Sequence, residues 1–487
     1  MRGCYKITAA ALAAALAVSA SACSRVRETD GTGAVSQEET ESSSQSIPEF
    51  TAAPETEPSS ETSEPETEEE LEYEPEFEKH IILGSDIHYL SPELTDYGEA
   101  FQYDVDHGDG RLVTYIDQIT DAFLEEVVEQ HPDILILSGD LSSNGELASH
   151  EGLAEKLRRV EAQGIPVAVI PGNHDINNKR AYGYRGDERY SVERTTPEQF
   201  REIYREFGYD EALSEDETSL SYVYQLDDMT RLLMLDTCQY SQGEAKVGGV
   251  ILSETYDWIE EQLEEAWDEG MNVIPVAHHN LLEESEVYTV DCTIEHGEQL
   301  AEILGEWNVN IFLSGHLHVQ HWMEDEDNGL YEIVTSSMTT PDCRYGLLTY
   351  RDDCSFSYRT KVLDVEGWAR ENGRTEEELL NFTEFRRPFL EQVFKNEAYG
   401  VLQHMKEITE EERLQMCEFY AWVNYMYYQG KAVEIRDQAY EDRAYALWDS
   451  KGYITVLRDY EMCIRDRVEG KDWLKKAAER KTAAQEI

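Results

Sequence analysis

Positive charge is what this 487-residue chain has least of: 41 Lys and Arg stand against 102 Asp and Glu, a formal charge of -61. Such a surface repels a phosphate backbone, which argues against polymeric DNA or RNA as a partner. No basic stripe accompanies the Tyr and Trp series of residues 419–428, so that series reads as helix core and not as a base-stacking platform. Cysteine is equally uninformative. Of eight Cys, Cys4 and Cys23 belong to the N-terminal segment, and the rest form no CxxC pair or zinc-like spacing, so no disulfide framework is indicated. Cys343 and Cys354 flank an expected hairpin and leave one pairing open. No internal repeat is visible. The acidic field would also oppose an anionic substrate unless bound cations reverse the local sign.

At the N-terminus, Arg2 and Lys6 precede an apolar run and then Ala20, Ser21, Ala22 and Cys23. The run is too short for a comfortable permanent span, and residues 1–22 read as a bacterial export signal. Small residues before Cys23 resemble a lipoprotein cleavage box, with Ala20 standing where such boxes prefer Leu. The resemblance implies that Cys23 is the lipidated first residue of an extracytoplasmic protein anchored to the bacterial cell membrane; simple cleavage and release is the other reading. Residues 23–78 are dominated by Ser, Thr, Glu and Pro. Too few large apolar side chains are present there to offset ordering entropy, so the segment reads as a disordered, self-repelling stalk.

From Lys79 onward short apolar runs alternate with amphipathic stretches: HIILGS, DILILSG, PVAVIPG, RLLMLD, NVIPVA and NIFLSG, with helix candidates at 115–130, 149–163, 196–207 and 253–269. That alternation predicts a layered α/β domain over residues 79–363. YEIVTSS, YGLLTYRD and CSFSYRTKVL add strands, some antiparallel, which predicts two sheets instead of one. Residues 364–461 predict a helical C-terminal domain that could cap the site, self-associate or contact the envelope. At 462–467 the letters MCIRDR resemble a translated transposon-end adapter from sequencing libraries, which leaves open whether residues 462–487 are natural.

Five motifs each follow an apolar run: SDIH at 85–88, SGD at 138–140, PGNHD at 171–175, AHHN at 277–280 and SGHLH at 314–318. Strand ends are where ligand-binding loops gather in α/β sheets, so all five can converge. A D-x-H triplet alone means little, but GNHD and GHLH rarely arise by chance after strands. Carboxylate, carboxamide and imidazole donors without thiolate suit manganese, iron or zinc. Two Asp, one Asn and four His suffice for two ions sharing a carboxylate. Two such ions about 3.5–4 Å apart can activate a water and neutralise phosphoryl oxygens.

The order DxH, GD, GNHD, H and GHxH resembles the calcineurin-like metallophosphoesterases, and SGDLSSNGELASHEGLAEKL with VIPGNHDINN is similar to the branch of class III cyclic-nucleotide phosphodiesterases. The resemblance implies a four-layer α-β-β-α sandwich of two mixed sheets, followed here by the helical domain. It also implies that Asp86, His88 and His318 hold one metal ion, Asn173, His278 and His316 a second, and Asp140 bridges both. His174 would serve as general acid or phosphate contact, with Asp175 orienting it. His279 becomes a supporting or substrate contact, since consecutive strand residues point to opposite faces. Where the family often has Pro, Asn280 stands. His107, in the acidic DVDHGDG stretch, is assigned to a solvated turn, and His296, His321 and His404 receive no role. The activity implied is hydrolysis of small phosphodiesters, cyclic nucleotides first among them. A phosphomonoesterase or nucleotidase, and a non-catalytic surface binding protein on the same fold, remain the alternatives.

Overall fold

Runs of branched apolar residues make the central strands, and their alternation decides what each face meets. A computed structural model describes residues 77–240, 245–285 and 291–452. The expected export signal, Cys23, the stalk up to residue 76 and the tail at 462–487 lie outside the described residues. The first half of the fold runs β1 (Glu78–Gly84), α1 (Glu99–Asp106), α2 (Ile116–Gln130), β2 (Ile134–Leu137), α3 (Leu147–Glu161) and β3 (Val167–Val169). A two-stranded hairpin follows, β4 (Tyr182–Arg185) and β5 (Glu188–Ser191), then α4 (Pro197–Ile203). The second half contains β6 (Ser214–Glu215), β7 (Tyr222–Gln225), β8 (Thr230–Leu235), α5 (Ser253–Glu269), β9 (Asn272–Ala277), α6 (Gly297–Glu306) and β10 (Ile311–Ser314). It closes with β11 (His321–Asp325), β12 (Leu330–Val334), β13 (Arg344–Arg351) and β14 (Phe356–Val362). β1 therefore starts inside the span expected for the stalk.

Two mixed sheets result. One has five strands in the order β14-β13-β1-β2-β3, the other seven in the order β11-β12-β10-β9-β8-β7-β6. In the first, β1, β2 and β3 run parallel while β13 pairs antiparallel with β1; in the second, β8, β9, β10 and β12 run parallel. Side-chain alternation shows the layering. Leu232, Met234, Ile274, Val276, Ile311 and Leu313 face the large core shared with the first sheet. Their neighbours Leu233, Leu235, Ala277 and Phe312 join a separate core with Ile259 and Leu263 of α5 and Leu300 and Leu304 of α6. Period-two strands thus bury both faces, as a sandwich requires.

One sequence expectation changes here, and the one cysteine pairing left open is decided. The helix foreseen over 196–207 stops at Ile203: Thr196 caps it, with Gln199 completing a capping box, but Phe207 and Gly208 leave helical geometry. Cys343 and Cys354 do not pair. They sit at opposite ends of the eight-residue β13, roughly 25 Å apart at ~3.3 Å per strand residue, and the Cys354 thiol instead meets the Asn272 side-chain oxygen at 3.1 Å.

The C-terminal helices are α7 (Val365–Glu371), α8 (Glu377–Leu380), α9 (Phe382–Leu402), α10 (Glu410–Tyr428), α11 (Ala432–Glu441) and α12 (Arg443–Lys451). Phe419, Tyr420, Tyr425 and Tyr427 are buried, as expected of core. A buried charge cluster joins these helices to the sandwich: Arg386 of α9 donates to the Asp342 carbonyl at 3.0 Å and carboxylate at 3.1 Å, and the Tyr425 hydroxyl donates to the same carboxylate at 3.1 Å. Removing Arg386 takes two donors from Asp342 and leaves Arg344, 3.0 Å from its other carboxylate oxygen, as the remaining cation. Arg386→Ala is expected to lower unfolding free energy by about 1.5–3 kcal/mol in urea titrations; a loss under ~0.5 kcal/mol would show the junction to be dispensable.

Candidate metal centre

All five motifs lie at the carboxyl ends of parallel strands, where backbone bonds fasten one loop to the next. The Asp86 amide donates to the Gly139 carbonyl at 3.1 Å, His88 to Asp140 at 2.9 Å, and Gly315 to His278 at 3.0 Å. Gly172 must be glycine, because a Cβ there would stand 2.1 Å from the Asp140 amide nitrogen. Five prospective ligands, Asp86, His88, Asp140, His316 and His318, have positive φ between 48° and 68°. Non-glycine residues adopt that conformation only when their surroundings enforce it, and such strain gathers at functional sites.

The donors converge. Asp86, His88, Asp140 and His318 present ligand atoms within 4.8 Å of one another. Nε2 of His88 and Nε2 of His318 are 2.9 Å apart, and Asp86 Oδ1 is 3.4 Å from the latter. On the other side, His278 Nε2 lies 3.1 Å from Asn173 Oδ1 and 3.2 Å from His316 Nδ1. Asp140 Oδ2 stands between the two groups, 3.8 Å from His88 Nε2 and 3.5 Å from His278 Nε2.

Four of the donors, Asp140, Asp86, His278 and His316, are aimed by a second bond. Asp140 Oδ1 accepts from the His174 amide at 2.7 Å, which turns Oδ2 inward. Asp86 Oδ2 accepts from the Ser85 hydroxyl at 2.5 Å and the His316 amide at 3.0 Å, leaving buried Oδ1 without a hydrogen bond. His278 Nδ1 donates to the Ser138 carbonyl and His316 Nε2 to the Asp291 carbonyl, so the opposite nitrogen of each ring faces the cluster. Burial alone would raise the Asp140 carboxyl, but the charges of His278 and His174 hold it well below the usual range. Burial would lower His278, and Asp140 instead raises it to about 9. A proton here balances carboxylates that a cation would balance better. Facing lone pairs, an orphaned buried carboxylate oxygen and O/N donors fit divalent metal.

The remaining predicted residues take definite places. His174 is 18% exposed and sits edge-on to His88, with Nε2 3.9 Å from Asp140 Oδ2. Its Nδ1 donates to the Ser143 carbonyl at 2.8 Å. That corrects the expectation for Asp175, whose carboxylate accepts from the amides of Leu141, Ser142 and Gly172 and the Ser142 hydroxyl, tying two loops together. Four donors occupy it, so Ser143 and not Asp175 orients the His174 ring. His279 is buried with Nδ1 2.7 Å from the Thr237 hydroxyl and Nε2 2.8 Å from the Val247 carbonyl; its ring packs 4.6 Å from that of His316. Both nitrogens are engaged by protein, which leaves it a supporting contact.

Sequence reasoning passed over two buried braces. Asn280 donates to the Ser314 hydroxyl at 2.9 Å and the Gly315 carbonyl at 3.1 Å, linking the His278 and His316 loops. Glu332 on β12 accepts from the Leu281 and Leu282 amides and the Ser314 hydroxyl. Burial, with Glu284 alongside, pushes its carboxyl up to about 8. A lone Glu in an apolar run gives no hint of this in sequence. Glu332→Gln sets an amide N–H2 against donors, and is expected to cost about 2–3 kcal/mol in denaturant melts of the metal-free protein; an unmoved midpoint would deny the brace.

Comparison with known proteins agrees with this geometry. A family model described as calcineurin-like phosphoesterase matches residues 79–320, and one described as the C-terminal domain of cyclic nucleotide phosphodiesterase matches residues 364–468. A probable cyclic nucleotide phosphodiesterase of Psychrobacter arcticus is 25% identical over 236 residues, 48% of this chain and 71% of its own length. The 3',5'-cyclic adenosine monophosphate phosphodiesterase of Haemophilus influenzae is 24% identical over 233 residues, 46% of this chain and 69% of its own. Among solved structures, a dimetal phosphatase from Danio rerio aligns with 60% of this chain and 100% of its own at 12% identity and a TM-score of 0.40. With a phosphoesterase model over the sandwich, a phosphodiesterase model over the C-terminal helices and an Asp/His cluster able to hold metal, the chain belongs to the calcineurin-like metallophosphoesterase family.

Proposed function

We propose that the protein is a two-metal phosphodiesterase acting outside the membrane, tethered through Cys23, on small phosphodiesters and above all cyclic nucleotides. The observation carrying the reading is Asp140 Oδ2, set between two groups of donors. Asp86, His88 and His318 would hold one ion with Asp140, and Asn173, His278 and His316 the other. When bound, such a pair supplies an activated water and neutralises phosphoryl charge. The chain does the rest. The Ser143 carbonyl holds Nδ1–H of His174, so Nε2 faces the site; in the imidazolium form the second proton, on Nε2, would pass to the departing alkoxide and leave the ring neutral. The names of the two relatives support cyclic nucleotides as substrate class; the N-terminal signal supports the location.

Full-length protein, stripped by chelator and reloaded with manganese, iron or zinc, is expected to bind two ions per chain. It should then hydrolyse bis(p-nitrophenyl) phosphate and 3',5'-cyclic AMP faster than p-nitrophenyl phosphate and 5'-AMP. A reversed preference would make it a phosphomonoesterase or nucleotidase. Stoichiometric metal without turnover on any of the four would make it a binding protein.

A further inference from the structure

The loop after α1 is a solvated turn at His107 and Asp109, as its acidic sequence suggests, but not at its far end. Its tip is packed: Gly110 has φ of +83°, and a Cβ there would stand 2.9 Å from the ring of Phe394 in α9. Asn396, one helical step further on, donates to the Asp106 carbonyl at 3.1 Å. The amide of Leu112 donates to the Thr339 carbonyl at 2.8 Å, and the hydroxyl of the adjacent Thr340 donates to the His318 carbonyl at 3.3 Å. The loop is thereby fastened on one side to the C-terminal helices and on the other to the strand end that carries a metal-ligand candidate.

Between these anchors sits Arg111, its side chain 14% exposed. Nε donates to Asp109 at 2.7 Å, but Nη1 is buried and meets no acceptor among the described residues. His88, His174 and Asp140 are titratable neighbours, beyond Asp109, whose fields reach Arg111. The guanidinium therefore shares the electrostatic field of the metal-centre residues. Asp109 balances the charge of Arg111, and Nη1 keeps its N–H donors for an anion that lies beside it. A planar guanidinium with free N–H donors matches two non-bridging oxygens of a phosphodiester monoanion.

We infer that Arg111 grips the non-bridging oxygens of the substrate phosphate, and that α9 of the C-terminal helices holds the loop that presents it. This rests on the phosphodiesterase reading and names a substrate contact for it. It also gives the C-terminal helices work at the site.

The test uses full-length, manganese-loaded protein and inorganic phosphate as probe, measured by calorimetry and by competition against bis(p-nitrophenyl) phosphate. Arg111→Ala is expected to weaken phosphate binding and raise KM by roughly 10- to 100-fold, with manganese content kept at two ions per chain because no candidate ligand is removed. Arg111→Lys should recover only part, since an ammonium lacks the fork. Phe394→Ala should fall between wild type and Arg111→Ala. Phosphate affinity within twofold of wild type in both Arg111 variants overturns the proposal while leaving the diesterase reading intact; unchanged affinity in Phe394→Ala removes the part given to α9. A wild-type protein that neither binds phosphate nor turns over diester defeats both readings together.

Discussion

Asp140→Ala is expected to lower turnover of bis(p-nitrophenyl) phosphate by at least about 10⁴-fold, equivalent to ~5.5 kcal/mol of barrier, and to reduce bound metal below two ions per chain. The magnitude follows from position. Oδ2 lies within 4 Å of nitrogens from both donor groups, so its removal takes a ligand from each. Its other oxygen accepts from the His174 amide, so the loop carrying Asn173 and His174 is loosened as well. Asp86→Ala offers a contrast: Asp86 Oδ1 approaches His318 and His88, so loss of one ion is expected, with the other only weakened through the His316 amide that Oδ2 holds. Metal content by mass spectrometry, alongside circular dichroism to confirm folding, separates the two. Full activity in Asp140→Ala would refute the two-ion assignment.

The second large effect concerns His174, and it depends on the leaving group. A ring whose Nδ1–H is held by Ser143 and whose Nε2 faces the cluster can, when doubly protonated, deliver the Nε2 proton to an alkoxide, which departs poorly without one. Replacement by Ala or Gln is expected to slow 3',5'-cyclic AMP hydrolysis by about 10²–10⁴-fold. p-Nitrophenolate departs as a stable anion, so bis(p-nitrophenyl) phosphate should lose less than about tenfold. Parallel losses on both substrates would instead mark His174 as a phosphate contact, with its amide hydrogen bond to Asp140 as the structural part of its role. The backbone amide survives either substitution, so the Asp140 carboxylate should keep its orientation.

Much of the sandwich was legible because its signals are local. Strands such as ILIL at β2 and NVIPVA at β9 are continuous apolar runs, and donors placed directly after them must emerge at strand ends. Amphipathic helices such as α5 match their periodicity closely. Less legible was the hairpin of β4 and β5, whose YGYR and ERYS carry no apolar alternation and are stabilised by contacts with α1, among them Tyr184 to Asp104 at 3.0 Å. The DVDHGDG loop shows the same limit. Its letters say acidic turn, and only the approach of Phe394 from almost three hundred residues later makes its far end a packed element.

The sequence alone determined the donor chemistry, the order of the five motifs and the strand ends from which they project, since each depends on residue type and short-range periodicity. Only the tertiary structure decided which oxygen of each carboxylate faces inward, which imidazole nitrogen is free, that Ser143 and not Asp175 aims His174, and that the loop carrying Arg111 packs against Phe394. Those choices are made by hydrogen bonds and packing between residues far apart in the chain. No local pattern encodes them, because each partner acquires its meaning only when the fold brings the other within about 3 Å.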